Sequence, residues 1–108
     1  MISEPLVVLM TAADADEATR IAELLVNQRL AACVQIFPEI QSIYFWKDEV
    51  QRDWEVLMIA KTTRARFDDL EREVRVMHSY ETPEIVALPI VAGSGAYLKW
   101  LTSFCEGS

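Results

Sequence analysis

Apolar positions along the chain switch between two periods, and the switches mark out the elements. Pro5 to Met10 holds the unbroken run Leu-Val-Val-Leu-Met, which predicts a strand suited to burial on both faces. Asp14-Ala-Asp-Glu17 is a D-x-x-E variant of the capping box, since the Asp14 carboxylate can accept from the free N–H groups of a first helical turn. Ala18, Ile21, Ala22, Leu25 and Arg29 then recur at helical spacing, leaving Glu17, Arg20, Glu23 and Gln28 to face water. From Ala31 to Trp46 the spacing becomes extended, and Pro38 interrupts it with a lost ladder donor that predicts a bulge or change of direction. Lys47-Asp48-Glu49 turns the chain, with Asp48 tolerant of a left-handed conformation, into a strand from Val50 to Thr62. Thr63 is the expected cap of a second helix over Arg64 to Met77, whose Phe67, Leu70, Val74 and Met77 share one face. Pro83 to Val91 predicts a last strand, and Ser94 caps a short helix carrying Tyr97, Leu98, Leu101 and Phe104.

Strand, helix, strand, strand, helix, strand and a final helix is the split βαβ order of ferredoxin-like α/β (α+β) sandwiches with an antiparallel sheet. Two helices cover one sheet face and leave the other to be explained. About 16 residues from Ala31 to Trp46 reach roughly 50 Å at strand rise, whereas a helix of similar residue count spans only about 24 Å. The hairpin therefore outruns its helices, and its outer part carries Ile43, Tyr44, Phe45, Trp46, Val50 and Trp54. That apolar load is expected to lie against another subunit; the competing arrangement is a hairpin curled back on its own sheet.

Composition narrows the class. At 108 residues and 52% hydrophobic, the chain is expected to form a single domain over residues 1–108 with a core that needs no disulfide or structural metal. No apolar run approaches the roughly 18 residues of a membrane span, and Met1-Ile-Ser-Glu-Pro lacks a signal peptide's basic start, so a soluble cytoplasmic protein is expected. A net charge of −7 repels phosphate backbones and anionic lipid, which argues against nucleic-acid and membrane partners. Cys33 and Cys105 are expected as free thiols; Cys105 lies near a tail expected to be mobile and is given no role.

The chemistry-bearing residues concentrate in Met77-His-Ser-Tyr-Glu-Thr-Pro-Glu-Ile85, which holds the only histidine, His78, at a helix-to-strand junction. A polar linker carries the same residue types, so a structural role stands beside the chemical one. A Cys33/His78 nucleophile pair lacks a third group to orient the imidazole, and no enzyme is expected.

Leu30-Ala-Ala-Cys-Val34, Ser42-Ile-Tyr-Phe-Trp46, Glu55 with Lys61-Thr62, His78-x-Tyr-Glu-x-Pro-Glu-Ile85 and Tyr97-Leu-Lys-Trp-Leu101 stand in the order and spacing of one family over nearly the whole chain. The sequence resembles the CutA family, the divalent-cation tolerance proteins. That resemblance implies a cytosolic ferredoxin-like homotrimer whose hairpins pack between subunits, with no obligatory cofactor and no established catalytic reaction. It also implies binding of copper or another divalent cation, for which Cys33 and His78, with Met77, are the candidate ligands; Met10 is a weaker one. Thiolate, imidazole and thioether suit copper, although buried cysteine and methionine are also ordinary core residues. The family's likeness to PII signalling proteins gives an alternative, a small molecule in intersubunit clefts at Tyr44, Trp46, Glu55, Lys61, Tyr80 and Glu84, which packing or salt bridging would explain equally. Two positions depart from the usual family pattern. Ser79 stands where proline is common, which is expected to loosen the backbone after His78, and Asp48 stands where glycine is frequent.

Overall fold

The computed structural model describes residues 3–107; Met1 and Ile2, part of the tract read for a signal peptide, lie outside it. Its elements are β1 (Pro5–Ala12), α1 (Ala15–Asn27), β2 (Cys33–Trp46), β3 (Glu49–Thr63), α2 (Arg64–Met77), β4 (Ile85–Pro89) and α3 (Gly95–Glu106). The four strands form one antiparallel sheet in the order β2-β3-β1-β4, as the split βαβ pattern requires.

Alternation along the strands sorts the sheet into two unlike faces. Val8, Met10 and Ala12 of β1 stand beside Ala60, Met58 and Val56 of β3, and Ile21 and Leu25 of α1 and Leu70 and Val74 of α2 close over them as the main core. The other face carries Leu9, Leu57, Ile59, Phe37, Val86 and Leu88, and neither α1 nor α2 covers it. Phe37 is 44% exposed and Val86 and Leu88 each 50%. In the single chain β1 is therefore buried on one face rather than both. Its odd-numbered residues Pro5, Val7 and Leu9 stay only partly buried.

The interruption at Pro38 is a bulge. Register shifts between Phe37 and Ile40, so one extra β2 residue changes which side chains face which way in the outer hairpin. Beyond it, Ser42, Tyr44 and Trp46 share a face with Asp53 and Glu55, while Ile43 and Phe45 share the other with Val50 and Trp54. Lys47 and Asp48, at φ of 52° and 64°, make a two-residue left-handed turn that matches the twist of the strands. The projecting hairpin gives the molecule extents of 46 × 25 × 22 Å.

Several local expectations change. Glu17 does not face water: it is 5% exposed. Arg29 lies beyond α1, at φ 58°, and sends its guanidinium over the Phe104 ring and onto the Phe104 carbonyl at 3.1 Å. Thr63 precedes α2 as expected, but its side chain makes no cap bond; Glu4 O and Ser3 Oγ take the amides of Arg64 and Ala65. β4 stops at Pro89. Cys105 belongs to α3 rather than to a loose tail, buried with Leu101 and Ala32 in a second small core. Arg66 holds that end by donating from Nε to Cys105 O at 2.6 Å and from a terminal nitrogen to Gly107 O at 3.1 Å.

Candidate functional site

The His78 tract folds as a buried joint. α2 ends because His78 turns extended, at φ −74° and ψ 142°, and its amide still closes the last turn onto Val74 O. The imidazole has both nitrogens engaged: Nδ1 accepts the Tyr80 amide at 3.0 Å, which places the ring proton on Nε2, 2.7 Å from Thr11 O. Tyr80 lies against the same ring, with centroids 4.7 Å apart.

Glu17 completes the joint from the first turn of α1. The Asp14 side chain accepts the Glu17 amide at 2.8 Å, and Glu17 Oε1 reaches back to the Ala13 amide at 2.9 Å, one residue earlier than the usual capping-box partner. Its Oε2 accepts the Ser79 amide at 2.8 Å, and Oε1 stands 3.8 Å from His78 Nδ1. Burial alone would raise the pKa of Glu17; hydrogen bonds from the Ala13 and Ser79 amides outweigh that and hold it below the ordinary 4.5. Ser79 therefore does not loosen this backbone. A proline there would have no N–H to give Glu17.

Beside the joint, where the hairpin leaves the sheet, lies a cleft of about 600 Å³. Tyr80, Thr82 and Glu84 from the loop before β4 form one wall and Ser42, Tyr44, Trp46 and Asp53 of the hairpin the other, with Glu55 and Thr11 also lining it. Tyr80 donates to Glu55 Oε1 at 2.9 Å, and Tyr44 donates to Asp53. Burial first, then the Glu55 bond, pushes the Tyr80 phenol far above the usual tyrosine range; the Asp53 bond is the main cause of a rise at Tyr44. Both phenols are thus neutral donors at physiological pH.

The expected site residues separate into groups. Tyr44, Trp46, Glu55, Tyr80 and Glu84 line the one cleft. Lys61 does not; its ammonium donates to Gln35 Oε1 at 2.9 Å and stands 5.9 Å from the Tyr97 ring. Cys33 sits opposite Lys61, partly buried on the edge strand, four register positions from the level of Phe37, Leu57 and Thr11 and two strands from Thr11. That is roughly 13 Å along the strands and about 10 Å across them, so one chain does not bring Cys33 to His78. Met77 packs against the main core and Met10 lies within it. Among the described residues no three His, Cys, Asp or Glu side chains are placed to hold a metal ion. A divalent centre therefore does not fit among the described residues of one chain.

Asp53 and Glu17 are the site residues that sequence reasoning passed over. Alternation across from Ser42 places Asp53, but only once the bulge is known; Glu17 reads as a solvated cap because its partner Ser79 is distant in sequence.

Comparison with known proteins identifies the chain. The family described as CutA1 divalent ion tolerance protein matches residues 6–103. The chain belongs to the CutA family. The divalent-cation tolerance protein CutA of Thermus thermophilus is 50% identical over 95 residues, covering 88% of this chain and 92% of that protein. A chloroplastic CutA 1 of Oryza sativa is 42% identical over 96 residues, 89% of this chain but only 54% of its own length, so the chain spans about half of that relative. Among solved structures, CutA1 from Oryza sativa superposes with a TM-score of 0.92 at 39% identity, covering 95% of this chain and 94% of that one. A structure described as the periplasmic divalent cation tolerance protein CutA from Archaeoglobus fulgidus gives 0.91 at 39%, covering 94% and 99%. The CutA names describe tolerance to divalent cations rather than catalysis.

Proposed function

We propose that this chain works as a cytoplasmic, non-catalytic homotrimer that binds copper or another divalent cation and contributes to metal tolerance. The observation that carries the reading is the uncovered apolar sheet face, running from Phe37 and Leu57 across Leu9 to Val86 and Leu88. A face of that kind on a small domain favours burial against copies of itself, and the family resemblance supplies the number three. The outer hairpin, with Phe45 at 68% and Trp54 at 64% exposure, adds a second surface for neighbours to cover.

Assembly also bears on the cation. The described residues of one chain offer no ready set of ligands, whereas Cys33 presents a partly buried soft donor on an edge strand, where a neighbouring subunit can complete a coordination sphere. His78, with Met77 beside it, enters such a site only by giving up its bond to Thr11 or Tyr80. Copper titration of the assembled protein tests this, with Cys33→Ala and His78→Ala examined singly and together. Binding weakened in the Cys33 variant supports the proposal. A double variant that titrates like the parent removes this ligand set.

A further inference from the structure

Among the described residues two side-chain carboxylates are nine-tenths or more buried, Glu17 at 5% and Glu55 at 9% exposure, and their surroundings differ. Glu17 is closed, with an amide on each oxygen and the imidazole beside it. Glu55 is open. It receives one hydrogen bond, from the neutral Tyr80 phenol, and makes no ion pair with any Lys, Arg or His among the described residues. Among the described residues no buried side-chain nitrogen or oxygen lacks a partner, so the second Glu55 oxygen is reached by solvent, and a bound cation can replace that hydration with direct charge compensation. Glu55 lines the 600 Å³ cleft, so a bound group there can supply it.

The cleft selects the sign of that group and then its size. Asp53 and Glu84 add negative charge, and Lys47 is the one cation among its lining residues. Tyr44, Trp46 and Tyr80 line the same space, and aromatic faces attract cations. A bare divalent ion needs several oxygens within about 2.0–2.6 Å, and among the described residues the carboxylates do not converge in that way. They stand around a space in the size range of small organic ligands instead.

We propose that this cleft binds an organic ammonium ion of the aliphatic di- or polyamine class, one ammonium against Glu55 and Asp53, its methylene chain among Tyr44, Trp46 and Tyr80, and a second ammonium toward Glu84. The proposal does not rest on the copper reading, because none of its ligands, Cys33, His78 or Met77, lines the cleft.

Calorimetric titration of the full-length protein with spermidine at low ionic strength tests it. The expected result is saturable binding at one site per chain that weakens with added sodium chloride. Glu55→Gln is expected to lower affinity about tenfold or more. Asp53→Asn, at an exposed position where folding is not at stake, is expected to weaken binding as well, whereas Asp68→Asn on α2 leaves it unchanged. No saturable binding by the parent overturns the proposal. So does an equal loss in Asp68→Asn, which marks general attraction to an acidic surface, retained affinity in folded Glu55→Gln or Asp53→Asn, or displacement of spermidine by equimolar magnesium.

Discussion

The Ser79 amide donates to Glu17 Oε2 at 2.8 Å, closing the residue just beyond α2 onto the first turn of α1. The contact joins positions 62 residues apart and turns a helix-capping carboxylate into a tertiary tie. Glu17→Gln would set an NH₂ group against one of the backbone N–H donors. The expected cost is about 1–3 kcal/mol, read as a lower urea midpoint with an unchanged slope in the assembled protein.

The same carboxylate sets an acid limit. Its folded pKa lies below the ordinary 4.5, so the folded state binds fewer protons than the unfolded state as pH falls through that region. Its stabilising contribution is fully present above about pH 4.5 and disappears as pH falls from there through the folded value. Urea midpoints between pH 6 and 3 should fall less steeply in Glu17→Gln than in the parent.

His78→Ala should destabilise the protein in the absence of any metal. It leaves the Thr11 carbonyl and the Tyr80 amide without their partner and opens a void where a ring side chain 1% exposed had been. A loss of about 2–4 kcal/mol is expected by denaturant unfolding in the presence of a chelator. A metal-only role predicts no loss under those conditions.

Leu88→Asp tests the assembly. Leu88 is half exposed in the single chain, so a charge there barely affects the chain's own packing, but it lies on the open sheet face. Light scattering should give three times 12.3 kDa for the parent and a lower mass for the variant.

Cys105 should alkylate slowly, because burial pushes its thiol up and keeps the thiolate scarce. Arg66→Ala removes both carbonyl clamps at the end of α3. The expected result is faster labelling of Cys105 by iodoacetamide, followed by mass spectrometry, with Cys33 as the internal reference.

Hydrophobic period, with local cap, turn and proline chemistry, determined the order of elements, the bounds of α2, the left-handed turn at Asp48 and the break at Pro38, since each depends on residues close together in the chain. Motif spacing was sufficient for the CutA resemblance. The outcome of the Pro38 break was not legible: a bulge shifts register by one, and only pairing against β3 reveals that Tyr44 and Trp46 join Asp53 and Glu55 while Phe45 joins Trp54. The tertiary structure likewise decided the fates of the two buried glutamates. Sequence marks Glu17 as a solvated helix-cap acid and Glu55 as a candidate cleft residue, but Glu17 meets an amide from the far end of α2 and is satisfied, while Glu55 meets one phenol and an open cleft. It also set Cys33 apart from His78, because sheet order places two strands and four register positions between them, a separation that spacing along a chain does not encode.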